Sequence, residues 1–175
     1  VIVMDNILLQ QLGLKQIGDG NHEIVERKTE LVLYSRNLNG QSLRRLAELT
    51  RPATLVQSMS SLRIIKLGFN NLECEGAIIL AESLRYSHEL ESLDVGFNCI
   101  GDNGAKAIVH ALAYIPKLTS LYLSGNKISS EGFLALSQSM ESRIKSRSDS
   151  SSRSDSRSSN NSSSTVDDSI QHLYV

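Results

Sequence analysis

The sequence predicts an α/β fold: a curved solenoid with a parallel concave sheet and convex helices. Three observations carry that expectation. Residues 62–72, 90–100 and 118–128 align without a gap at a spacing of 28, and each reads L-x-x-L-x-L-x-x-N-x-L with Ile or Val allowed for Leu. A fixed period of this length marks a stacked-repeat architecture. After each segment, apolar residues recur three or four apart (Leu80 and Leu84, Ile108 and Leu112, Leu136 and Met140), the pattern of an amphipathic helix. The composition agrees. There is no Trp, aromatics are 5%, and only 2 of 175 residues are Pro, so the core is built of Leu, Ile, Val and Ala in a regular chain.

Each repeat then reads as a short strand, a turn and a helix. Strand side chains alternate between faces, which sends Ile65/Leu67, Leu93/Val95 and Leu121/Leu123 inward. Leu80, Ile108 and Leu136 meet them from the helix layer. A single repeat cannot bury this apolar face, so neighbours must stack. Gly76-Ala77, Gly104-Ala105 and Gly132-Phe133 recur at one phase and are expected to let each helix start lie close to the strand layer. Asp102 and Ser130 stand where an N-cap oxygen is needed. Asn70, Asn98 and Asn126 fall where the chain leaves the strand. Buried amides at that turn satisfy backbone groups of the adjacent turn, which makes them a structural ladder.

This pattern resembles the leucine-rich repeat family, in the long form found in ribonuclease inhibitor. The clear match covers residues 62–140, or 79 of 175. The resemblance implies a solenoid that presents an extended concave surface to a protein partner. Other relatives of the repeat type are the sensor arms of intracellular immune receptors and the Ran GTPase-activating proteins. The first reading is therefore a non-enzymatic interaction scaffold, and the alternative is a Ran-type activator of a small GTPase. In that family activity depends on loops at one edge of the horseshoe and on a following acidic region. The sequence has no acidic run, so no catalytic residue is carried over.

The repeats weaken toward the N-terminus, and the solenoid is expected over 1–142 with degenerate repeats in 1–61. Residues 31–38 fit the strand pattern, with Arg36 in the ladder position and 34 residues to the next repeat. Gln41–Leu49 would be its helix, with Arg51-Pro52 as the stop. Residues 1–8 fit a further strand; residues 4–17 fit a plain amphipathic helix equally well. At the other end, residues 142–165 hold 13 Ser in 24 with interspersed Arg, which predicts a disordered Ser/Arg-rich insertion over 143–166. That insertion reads either as a passive solvated loop or as a segment tuned by phosphorylation, since Arg-x-x-Ser patterns suit basophilic kinases. Beyond it, Ile170-Gln-His-Leu173-Tyr-Val175 repeats the opening of residues 118–123, so residues 167–175 read as the start of a truncated repeat whose strand lies beside Leu121-Tyr-Leu123. Val at position 1 and a chain stopping just after that strand predict a piece of a longer protein, or else a monomer.

Function classes narrow by exclusion. Net charge is −1, from 18 Lys+Arg and 19 Asp+Glu. The concave face lacks the stacked Lys and Arg of a nucleic-acid groove. No apolar run approaches the roughly 20 residues needed to span a bilayer, so neither nucleic acid nor membrane is expected as a partner. His22, His88, His110 and His172 have no metal-ligand spacing with Cys74 or Cys99, and no cofactor, metal or catalytic constellation is expected. Gly18-Asp-Gly20 reads as a turn. Two cysteines make no disulfide framework, which points to a reducing, cytoplasmic setting. The expected partner-binding residues are Tyr34, Lys66, Asp94, Tyr122 and Tyr174, on the strand positions that alternate with the buried ones, where Tyr supplies contact area with few rotors.

Overall fold

The computed structural model describes residues 7, 9–17, 21–24, 26–49, 52–151 and 172–174. A hairpin of β1 (Leu14–Ile17) and β2 (Asn21–Ile24) precedes a five-stranded sheet of β3 (Glu30–Val32), β4 (Ile64–Lys66), β5 (Ser92–Asp94), β6 (Ser120–Tyr122) and β7 (His172–Tyr174). The five strands pair in parallel in chain order, with Leu31, Ile65, Leu93, Leu121 and Leu173 in one register. Between them run α1 (Gly40–Leu49), α2 (Pro52–Ser60), α3 (Glu73–Leu84), α4 (Gly101–Ala111) with a closing 3-10 turn at Leu112–Tyr114, and α5 (Ser130–Ser151). This is the expected α/β architecture: an open parallel sheet flanked by helices.

The two layers have different natural widths. Paired strands sit about 4.8 Å apart, whereas packed helices need roughly 8–10 Å. Stacking one strand and one helix per repeat therefore bends the array with the sheet on the inside. The inward strand residues Ile65, Leu67, Leu93, Val95, Leu121 and Leu123 are buried to 1% exposure or less, and Ile108 and Leu136 close over them at 0%. Surface ion pairs add repeat-to-repeat links, Arg63–Glu91 at 2.7 Å, Lys117–Glu89 at 2.6 Å and Lys106–Glu131 at 2.5 Å. Each is solvent-exposed and screened, and so adds little to stability.

The glycines at the helix starts serve a different contact from the one expected. A Cβ on Gly104 would lie 2.9 Å from the Ala77 Cβ of α3, and one on Gly76 would lie 3.3 Å from the Gly40 backbone of α1. They admit the neighbouring helix rather than the strand layer. The N-caps differ too. Asp102 lies inside α4 without capping it, and its carboxylate accepts the Ser129 N–H at 2.7 Å and the Ser129 hydroxyl at 2.5 Å in the next repeat. Those two bonds, the hydroxyl first, hold the Asp102 carboxyl below the usual carboxylate range. Ser129, not Ser130, caps α5, its hydroxyl accepting the Glu131 N–H at 3.2 Å.

The ends depart most from the repeat pattern. β1 and β2 pair antiparallel instead of forming a degenerate repeat, and among the described residues before them residue 7 and residues 9–11 are helical. The N-terminal segment joins the same core: Leu9, Leu12 and Leu14 belong to it and Ile24 packs against it. A terminal unit must close the apolar end without repeating it, which breaks the sequence period. The expected strand at 1–8 falls almost wholly outside the described residues, and so does the Gly18-Asp-Gly20 connection. Helix α1 ends at Leu49, just before Arg51-Pro52 as expected, and the long first repeat then uses its extra residues for α2, with Pro52 as its first residue, a position where the missing N–H costs nothing.

At the far end, β7 lies where the phase of the sequence put it, beside β6 with Leu173 opposite Leu121. The His172 N–H donates to the Thr119 carbonyl at 3.0 Å. Leu173 stays 37% exposed, since no helix among the described residues covers the strand. Helix α5 runs to Ser151, into the stretch expected to lack structure, and residues 152–166 of that stretch lie outside the described residues.

Candidate protein-interaction surface

The strand side chains that alternate with the buried set form the concave face. Register places Val32, Lys66, Asp94, Tyr122 and Tyr174 in one row across all five strands. Lys66, Asp94 and Tyr122 are half-buried there, and Tyr174 is exposed. Tyr122 and Tyr174 stack face to face, with centroids 4.6 Å apart and planes within 2°. The row expected from the repeat phase is thus continuous for four of the five candidate residues.

Tyr34 joins them by another route. It lies past the end of β3, two residues beyond the row, beside Gly68 of the next repeat. A Cβ on Gly68 would collide with the Tyr34 ring, so this glycine opens the path along which the ring crosses the neighbouring repeat. The Tyr34 hydroxyl donates to Asp94 Oδ2, 60 residues away in sequence. Asp94 Oδ1 accepts the Gly96 N–H at 2.9 Å. Both oxygens of Asp94 are therefore held inside the molecule, and its charge is less available to a partner than its strand position suggests. The Lys66 ammonium makes no hydrogen bond or ion pair with any described residue, although the Lys66 carbonyl accepts the Leu33 N–H at 2.8 Å.

The hydrogen bond to Asp94, with burial and the Asp94 charge behind it, pushes the Tyr34 phenol up to about 12. Ionising the phenol would remove the donated proton and place two negative groups together. A raised folded pKa means that this contribution to stability is complete below the unfolded value of about 10 and is lost as pH rises through about 12. The phenolate absorbance of wild type minus Tyr34→Phe should accordingly rise near pH 12. A difference step near the ordinary value of about 10 would show that the bond to Asp94 does not form in solution.

The ladder asparagines support this face from below. Asn98 donates from Nδ2 to the carbonyls of Leu67 at 2.9 Å, Val95 at 3.0 Å and Gly96 at 3.0 Å, and accepts the Leu72 N–H at 3.3 Å. Asn126 accepts the Asn98 N–H at 2.8 Å and donates to Val95 and Leu123 carbonyls. Asn70 does the same one repeat earlier, accepting the Arg36 N–H at 2.9 Å and donating to the Leu33 carbonyl at 2.7 Å. Every ladder side chain ties its own strand end to the preceding repeat. Asn98 and Asn126 are buried at 0% and 2%, so these bonds have no competing water.

Residues 86–109 and 114–137 match the family described as Leucine Rich repeat. These two segments are similar to leucine-rich repeats. They carry β5 with most of α4, and β6 with the first turns of α5. The same strand, ladder and helix geometry extends back through β4, Asn70 and α3, beyond the matched residues. No curated protein matches the chain. Among the described residues, no group of three or more His, Cys, Asp and Glu is placed to hold a metal ion, and no helix is long and apolar enough to cross a membrane.

One feature of this surface is not among the residues expected from the sequence. Phe69 and Phe97, each just before a ladder Asn, stack at 4.5 Å and 10° on the rim where the strands end. They are 56% and 51% exposed. The signal that could have found them is the tripeptide Gly-Phe-Asn, which occurs at 68–70 and 96–98 and places two of the three Phe in the chain at one phase.

Proposed function

We propose that the chain is a non-enzymatic scaffold that binds a protein partner on its concave strand face, in a cytoplasmic setting. The observation that carries this reading is the continuous row of Lys66, Asp94, Tyr122 and Tyr174, with an ammonium unpaired among the described residues at one end and two stacked phenols at the other. Solenoids use such extended concave surfaces for recognition, and a few aromatic and charged anchors supply most of the binding energy at protein interfaces. Cys74 and Cys99 are free thiols, in keeping with a reducing compartment.

Site-specific photo-crosslinking in cells tests it. A photoreactive residue at Tyr174, beside Tyr122 in the row, should trap one discrete partner, while one at His110 on the convex helices should not. Lys66→Glu together with Tyr122→Ala should abolish that adduct and leave the far-UV circular dichroism unchanged. These two residues are better probes than Asp94, whose replacement would also release Tyr34. An adduct formed only from the convex side would place the binding face elsewhere. Acceleration of GTP hydrolysis by a small GTPase would overturn the non-enzymatic reading in favour of the alternative.

A further inference from the structure

The rim that carries Phe69 and Phe97 holds two large apolar side chains where folding has little use for them. Both residues have left-handed backbone, φ 58° and 55°, a conformation that bulky side chains rarely adopt. The equivalent positions in the flanking repeats have the same turn, Ser35 at φ 49° and Gly125 at φ 72°. A small residue thus satisfies the turn. Neither Phe enters the core, and the two stack on each other with about half of each ring in solvent. The ridge is bounded. Tyr34 extends it on one side, with its ring centroid 6.4 Å from that of Phe69. On the other side Phe97 lies over Gly125, where a Cβ would fall 2.5 Å from its ring.

Charge along the same edge is one-sided. Lys66 is unpaired among the described residues, the Arg36 side chain is exposed at the ladder position before Phe69, and Lys127 is exposed one repeat beyond Phe97. The nearby acids are engaged, Asp94 by Tyr34 and Gly96, and Glu73 by the Asn71 amide at 3.0 Å. Resting on the reading of the chain as a protein-binding scaffold, we propose that the Phe69–Phe97 ridge is the anchor of the interface. Its partner is an acidic protein segment that lays an apolar side chain on the two rings. A nucleic acid fits less well: the rings are already closed on each other at 4.5 Å and leave no slot for a base between them, and few cations line the edge.

Selection of short peptides from a phage-displayed random library on the purified chain tests the proposal. The selected peptides should be rich in Asp and Glu around Leu, Phe or Trp, and raised salt should weaken them. The double variant Phe69→Ser, Phe97→Gly should reduce their affinity by about tenfold or more. It should keep the wild-type melting curve, because it installs the residues that the sibling turns already carry. Basic or uncharged selected peptides, affinities unchanged in the double variant, or no binder at all would each overturn the proposal. Binding of oligo(dT) that the double variant abolishes would overturn it as well, in favour of nucleic acid. Peptides lost in Lys66→Glu with Tyr122→Ala but kept in the double variant would sink the ridge alone and leave the concave-face reading standing; peptides kept in both would sink the two together.

Discussion

Asn98→Leu is expected to lower the stability of the fold by about 3 kcal/mol, the cost of stranding buried polar groups. Asn98 is 0% exposed, and its side chain makes four hydrogen bonds to backbone atoms of two repeats. The replacement has the same number of side-chain heavy atoms, so the loss is mainly polar, with a smaller steric part from the bulkier methyls. The Leu72 N–H loses its side-chain acceptor. The three carbonyls fare better, since Leu67 keeps Asn70, Val95 keeps Asn126, and Gly96 keeps the Phe69 N–H at 2.9 Å. Each of them still loses a second donor with no water to replace it. Asn70→Leu should cost less, because Asn70 is only half-buried and solvent reaches the groups it leaves. Denaturant midpoints of the two variants measure the difference. A wild-type midpoint for Asn98→Leu would show that the ladder contributes nothing net.

The ladder and the strand register were legible in the sequence because both follow from one period. Once Leu93 and Leu121 share a phase, their neighbours share a face, and Leu173 falls into the same register across residues that carry no period at all. What was not legible depends on contacts between repeats at non-repeating positions. The Tyr34–Asp94 bond spans two repeats and exists because Gly68 lies between them; no local pattern encodes it. The antiparallel pair β1–β2 does not share the strand–helix geometry of the repeats, so it has no counterpart to align with. Helix α2 has only weak apolar periodicity, and Pro52 marks a helix start as readily as a helix end. The cap on α5 shifted by one residue because Asp102 reaches across to Ser129, a choice made by the neighbouring repeat. Phe69 and Phe97 occupy positions that the repeat leaves variable, where the fold imposes no residue type.

Gly104→Leu is expected to destabilise the stack by about 3 kcal/mol, at the upper end of ordinary overpacking. The position is hemmed in by atoms that cannot swing away. A Cβ there would meet the Ala77 Cβ at 2.9 Å and the Ile100 Cβ at 3.0 Å, with the Cys74 Cα behind at 3.6 Å. Helix propensity pulls the other way, since Leu is favoured over Gly inside a helix by nearly 1 kcal/mol. A net loss therefore reports the helix–helix contact itself. Gly101, three residues earlier, is the natural control. It has φ 62° but nothing within 4 Å of an added Cβ, and Glu73 occupies the equivalent position one repeat earlier at φ 57°. Gly101→Glu should cost only the backbone strain of a left-handed residue, about 1 kcal/mol. Because each repeat is held mainly by its neighbours, wedging α3 from α4 should also loosen the coupling between the two halves of the array. Urea unfolding of Gly104→Leu should become broader than that of Gly101→Glu, with probes in β4 and β6 no longer reporting one midpoint. Equal midpoints and equal slopes for the two variants would mean that the helices can move apart without cost, and that the glycines are not what sets their spacing.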